Sequence, residues 1–172
     1  MRVAILIAPA GFRDETVSIT KKILEKWGVE TIITSYTSKN CMGNHGAVYK
    51  PFNTSQLIPL DYDGIILADG PGVEQFKLYD LRQLHDLLMM FIQSNKLVAG
   101  VGNAIKIIAR TNMIQNMKIA NTKDQDTNHL VKLFKGVITN SALESDKNIV
   151  TLGDSELIYE FADTIVSKLG IK

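Results

Sequence analysis

Hydrophobic positions along this chain follow two rhythms. Largely apolar runs mark Arg2–Ala8, Val29–Tyr36, Asp63–Ala68 and Lys96–Val101, the pattern of parallel strands covered on both faces. Helical spacing fills the intervals. Asp14 reads as the cap of a helix that carries Thr20, Ile23, Leu24 and Trp27 on one side and stops at Gly28. A second helix turns Leu78, Leu81, Leu84, Leu88, Phe91 and Ile92 inward, and a third runs from Ala104 to Thr111. The last is the plainest: Ile158, Phe161, Ala162, Ile165, Val166 and Leu169 recur on one face, with Asp154 or Ser155 at its start and Gly170 at its end.

Weaker signals complete the map. A polar loop, "TSKNCMGNHG", precedes a small hairpin or edge strand at Val48–Lys50. Short strands are expected at Lys118–Ala120, Val137–Thr139 and Ile149–Thr151, with a polar linker over Thr122–Asn128. Strands alternating with helices in this way predict one domain, residues 1–172. Its class is α/β: a doubly wound, mostly parallel sheet with helices on both faces, a flavodoxin-like three-layer sandwich. Ligands of such sheets bind at the carboxyl ends of the strands. Here Pro9–Glu15, Asp69–Gly72 and Gly102–Asn103 would converge.

Composition narrows the function. An apolar share of 45% with 22% charged residues supports a packed core rather than a disordered chain. The net charge of +1, with no Lys/Arg stripe, gives nucleic acid nothing to hold. The longest apolar run, Leu87–Ile92, is too short to span a membrane. The amino-terminal run reads as a buried strand rather than a signal peptide. A single cysteine, Cys41, excludes an internal disulfide and fits a reducing cytoplasm, where the Asn53-Thr54-Ser55 sequon is idle.

The chemistry-bearing stretch is "KLVAGVGNAIKIIA", Lys96–Ala109: a strand, a tight turn and a helix. Hydrolases raise a nucleophile at the apex of such an elbow. Here the apex is Val101-Gly102-Asn103, with no Ser, Cys or Thr. The partial match of "GVGNAI" to a dinucleotide fingerprint lacks the third glycine, and "MKIAN" ends without a ribose-binding acid. The "DGPG" loop lacks the Lys-Ser/Thr pair of a phosphate loop. Cys41, four residues before His45, reads as a surface or interface thiol rather than a nucleophile. His85 and His129 are scattered and form no ligand set, so neither metal nor cofactor is expected.

Taken in order, "RVAILIAPAGFRDETVSITKKILEKWGVE", "YDGIILADGPG", "KLVAGVGNAIKIIA" and "NIVTLGDSELIYEFADTIVSKL" make the chain resemble the DJ-1/PfpI superfamily, of the class I glutamine amidotransferase-like fold, over nearly its whole length. The resemblance implies that Glu15 matches the family glutamate, that Gly102 stands at the elbow cysteine, and that Asp69-Gly70 matches the oxyanion turn. It places the family histidine at Asn103, or at Asn121 or Thr122. Thiol-dependent activity then has no thiol.

Gly102 reads either as a disarmed elbow or as a glycine that lets a helix approach the sheet. Glu15 reads as a crevice carboxylate or as a first-turn acid favoured by the helix dipole. Asp69 is a pocket wall or a turn former. The ligand-pocket candidates are therefore Glu15, Asp69, Gly70, Gly102 and Asn103, with no catalytic residue. The expectation is a noncatalytic protein that binds a small molecule or a partner at the crevice. The resemblance implies a homodimer, with Met89, Met90 and Phe91 available for apolar contact or for the core. The alternative is a cysteine-independent hydrolase or lyase using Glu15 with Asn103 or the elbow amides.

Overall fold

The central strand shows why the apolar runs are continuous. In β1 (Arg2–Leu6) and the residues after it, Val3, Ile5 and Ile7 enter one core while Ala4, Leu6 and Ala8 enter the other. A computed structural model describes all 172 residues. The strands that follow are β2 (Ala10–Phe12), β3 (Glu30–Ser35), β4 (Cys41–Gly43), β5 (Val48–Tyr49), β6 (Phe52–Asn53), β7 (Gly64–Leu67), β8 (Leu97–Val101), β9 (Lys118–Ile119), β10 (Val137–Ile138), β11 (Leu143–Asp146) and β12 (Ile149–Leu152). A seven-stranded sheet has the order β11-β12-β8-β7-β1-β3-β6, parallel except for the β11–β12 hairpin. Two small sheets, β2-β4-β5 and β9-β10, lie apart from it.

Helices α1 (Asp14–Lys26) and α6 (Ile158–Lys168) cover one face, burying Val17, Leu24, Phe161 and Ile165. Helices α3 (Arg82–Gln93), α4 (Ile105–Ala109) and α5 (Gln125–Leu133) contribute Leu84, Leu88, Phe91, Ile107 and Val131 to the other core. The short α2 (Pro71–Gln75) follows β7 directly. Phe91 and Phe161 are fully enclosed on opposite faces, and truncating either to Ala would cost about 3–5 kcal/mol. The expected doubly wound α/β sandwich is therefore the fold observed, and no helix is long and apolar enough to cross a membrane.

Several local expectations change. Asp14 is the first residue of α1, not its cap; the cap position is Arg13, whose side chain makes no cap bond. The Asp14 carboxylate instead accepts the backbone N–H of His45 (3.0 Å) and Ala47 (2.9 Å), tying α1 to the β4–β5 turn. Trp27 is not in the core: it ends α1 with 40% of its surface exposed, and the Lys172 ammonium lies over its ring. The expected helix through Leu78 and Leu81 breaks, because Lys77 is left-handed (φ 45°) and Leu81 is extended.

The polar linker at Thr122–Asn128 is mostly the start of α5, capped by the Asp124 carboxylate on the N–H of Asp126. Its buried face includes Thr127 and Asn128, so polarity hid a helix. Of the Met89–Phe91 cluster, Phe91 is core and Met90 is half exposed. Cys41 is neither a surface nor a loop residue. It is buried in β4 with its thiol toward the Lys39 carbonyl, because strand alternation turns Cys41 inward and Met42 outward.

Candidate functional site

The carboxyl ends of β7, β8 and β12 and the loops after β2 and β9 surround a cleft of about 540 Å³. Arg13 enters from the loop before α1. Asp69, Gly70 and Pro71 come from the turn after β7, and Val101, Gly102 and Asn103 from the end of β8. Thr122, Lys123 and Asp124 precede α5, and Gly153, Asp154 and Ser155 follow β12. Val101 is the one large apolar side chain of the lining; the rest are glycines, Pro71 and polar or charged residues. A depression of similar size, about 590 Å³, lies over Ile19, Ile23, Trp27 and Tyr159 on the outer surfaces of α1 and α6, away from the strand ends.

Two glycines set the backbone of the cleft. Gly70 has φ 133° and ψ 169°, a region open only to glycine, and a Cβ there would stand 2.3 Å from the Gly11 carbonyl oxygen. The loop before α1 therefore packs directly onto the turn after β7. Gly102 is left-handed at φ 53°, at the apex between β8 and α4.

Asn103 locks the two loops together. Its Nδ2 donates to the Gly70 carbonyl at 2.8 Å, while its Oδ1 accepts the Gly70 N–H at 3.2 Å. The amide that a carbonyl oxygen would need at this turn is thus already engaged. Asp69 lies beneath the elbow: its Oδ1 accepts the Thr16 hydroxyl at 2.7 Å, and its backbone carbonyl accepts the Arg13 N–H at 2.8 Å. Burial pushes the Asp69 carboxyl above its ordinary range. The Thr16 bond and the Arg13 charge oppose that rise, and the Glu15 charge adds to it.

Of the expected pocket residues, Asp69, Gly70, Gly102 and Asn103 are brought together and Glu15 is not. The Glu15 carboxylate is half exposed, 3.5 Å from the Arg13 guanidinium and 3.6 Å from His45 Nδ1. Neither oxygen lines the cleft. The helix turns Thr16 inward beside it, and the carboxylate near the elbow comes from Asp69 instead. His45 thus pairs with Glu15, whereas Cys41, the only cysteine, is not part of the lining. Burial raises the Cys41 thiol, with Ser35 opposing.

Sequence reasoning missed much of the opposite wall. Asn128 on α5 accepts the Thr122 N–H (3.0 Å) and donates to the Thr122 carbonyl (3.0 Å) and the Asn121 side chain (3.1 Å), fixing the loop that carries Lys123 and Asp124. Lys123 pairs with Asp154 at 3.4 Å. Behind the wall Lys106, on the helix after the elbow, is buried. Its ammonium is 3.2 Å from Glu74, 3.9 Å from Asp124 and 5.2 Å above the Tyr79 ring. Burial and a hydrogen bond to Glu74 push the Tyr79 phenol up to about 12. A lysine inside the "AIKIIA" run was the one available signal. No group of three or more His, Cys, Asp or Glu side chains is arranged to hold a metal ion.

Comparison with known proteins agrees with this architecture. The chain belongs to the DJ-1/PfpI family, whose model matches residues 1–168. An uncharacterised protein of Methanocaldococcus jannaschii is 24% identical over 151 residues, covering 87% of this chain and 73% of that one. Among solved structures, a ThiJ/PfpI domain protein from Brachyspira murdochii superposes with a TM-score of 0.92 at 22% identity, over 98% of this chain and 96% of its own. Drosophila melanogaster DJ-1beta gives 0.84 at 16% identity, over 99% and 91%. At such identities these likenesses concern the fold.

Proposed function

We propose that this protein binds a small polar ligand in the cleft at the strand ends and carries out no covalent catalysis there. The supporting observation is the elbow itself: its apex is Gly102, and the chain's single thiol is buried in β4. A nucleophile must reach its substrate and be activated. No Cys or Tyr lines this cleft, its hydroxyls are Thr122 and Ser155 with no His among the lining residues to serve as their base, and its one lysine is Lys123. Lys123 is held by Asp154. The cysteine-independent route has less support, since Glu15 lies outside the lining and Asn103 occupies the Gly70 amide. Pairing of two copies in the cytoplasm completes the proposal.

Screens for ester, amide and aldehyde turnover should give no rate above the uncatalysed one. Ligand screening by amide chemical shifts should find compounds that move Gly70, Gly102 and Asn103 together. A substrate turned over at the cleft would overturn the reading.

A further inference from the structure

The cleft's polar groups are unequally satisfied. Asp124 accepts the Asp126 N–H (3.2 Å) and the Thr127 hydroxyl (2.6 Å), with the Lys106 ammonium at 3.9 Å. Asp154 accepts the Glu156 N–H (3.0 Å) and faces Lys123 at 3.4 Å. Arg13 is occupied by Glu15 at 3.5 Å. Asp69 differs: Thr16 holds Oδ1 and its own backbone N–H bonds the carboxylate, but no cationic side chain pairs with it. Its Oδ2 points toward the elbow, 3.3 Å from where a Cβ on Gly102 would stand. It fills part of the room an elbow side chain would use.

We infer that Asp69 is the anchor of this site, and that the ligand it takes is a small molecule carrying an amine, bound as its ammonium. A partly buried carboxylate that faces a cleft without a counter-ion binds a charged N–H donor more strongly than a neutral one. Around the cleft Lys106 answers Asp124, Lys123 answers Asp154 and Glu15 answers Arg13, so Asp69 is the acid left without a cationic partner, which favours a cation there. Gly102 matters because any larger residue would crowd the space above Oδ2. This inference rests on ligand binding at the cleft and goes further by naming the recognised group.

The test is a titration of the isotopically labelled full chain with matched pairs: ethanolamine against ethylene glycol, putrescine against 1,4-butanediol, and benzylamine against benzyl alcohol. Glycolate is the anionic control. At least one amine should shift the Gly70, Gly102 and Asn103 amides with an affinity tenfold or more above that of its alcohol. Asp69→Asn, which keeps an oxygen for the Thr16 hydroxyl, should erase that preference. Should this variant fail to fold, the wild-type amine-to-alcohol ratio still decides. Alcohols or glycolate shifting those amides as strongly as the amines would remove the amine inference and leave ligand binding standing. Equal amine affinity in Asp69→Asn would remove Asp69 as anchor. If no amine moves these amides the inference fails, while turnover in the substrate screens would remove the underlying reading.

Discussion

A Cβ placed on Gly102 would lie 3.2 Å from the Asp69 Cβ and 3.3 Å from its Oδ2, so the elbow and the turn after β7 share one small volume. Restoring a side chain at the apex is therefore a two-residue problem. Gly102→Cys should fold with a loss of about 1–2 kcal/mol from the left-handed backbone. Its thiol would sit against a carboxylate, and a neighbouring negative charge disfavours the thiolate. Adding Asp69→Asn should speed alkylation by iodoacetamide at pH 7 by about tenfold, the effect of roughly one pKa unit. Equal rates in the single and double variants would show that Asp69 does not govern the apex.

The same experiment needs a quiet background, which Cys41 should supply. Its thiol is fully enclosed among the residues packed between α1 and the sheet, and burial disfavours the thiolate. Wild-type protein should resist alkylation in native buffer and react at the rate of a model thiol only in urea. Mass spectrometry after a timed pulse reads both. Rapid native labelling would mean that the β2-β4-β5 sheet opens locally.

Asp14 and Asp69 give stability opposite dependences on pH. Burial works against the Asp14 charge, but the N–H groups of His45 and Ala47 and the nearby His45 outweigh it and hold the carboxyl low. Its contribution is complete above the unfolded Asp value of about 3.9 and is lost as pH falls through the folded value. Asp69 is raised, so the folded state favours its protonated form. That contribution is present below the unfolded value and is lost as pH rises through the folded one. Urea midpoints from pH 3 to pH 7 should show Asp14→Asn falling further behind wild type as pH rises. Asp69→Asn should gain on wild type over the same interval.

What the sequence revealed and what it hid divide along physical lines. β1, β7 and β8 were legible because strands buried on both faces must be apolar throughout, as Val3–Ala8 is. α6 was legible because its single buried stripe keeps helical period. α5 was hidden because Thr127 and Asn128 bury polar side chains against Asp124 and Thr122, and such satisfaction depends on tertiary partners. The meeting of Gly102 with Asp69-Gly70 at the strand ends was legible because elbows and glycine turns leave local marks. Glu15 was misplaced because adjacent helical residues point in different directions, and a one-residue shift exchanges the exposed Glu15 for the buried Thr16.

Asn103 supplies a measurement of how rigid the site is. Its side chain satisfies both polar groups of Gly70, and Asn103→Ala would leave them to solvent. The loss should be about 1–3 kcal/mol, the range for deserting partly buried partners. Exchange of the Gly70 amide with deuterium should rise in step, while amides within β1 keep their protection. Asn103→Asp should be at least as damaging, since its second oxygen would face the Gly70 carbonyl where an N–H now donates. Unchanged Gly70 exchange in both variants would mean that packing against Gly11, rather than the Asn103 amide, holds the turn.

Lys106 and Glu74 should respond unequally to removal, although they form one pair. The lysine side chain is 9% exposed, whereas that of Glu74 is 54% exposed and that of Asp124 is 41%. Lys106→Met keeps most of the buried stem and removes the buried charge, leaving acids that water can reach. Screening by solvent makes the lost attraction small, and the change in stability should stay within about 1 kcal/mol. Glu74→Ala leaves the ammonium buried with only Asp124, at 3.9 Å, and the Tyr79 ring. A buried charge that loses its nearest partner is the costlier case, so this variant should lose about 1–2 kcal/mol. It also removes the acceptor of the Tyr79 hydroxyl, so the phenol should titrate below about 12 in an ultraviolet pH scan. Should Lys106→Met prove the more damaging of the two, the cation would be contributing net attraction to the wall that carries Asp124. The order of the two losses therefore tells whether this buried lysine stabilises the cleft or is merely tolerated behind it.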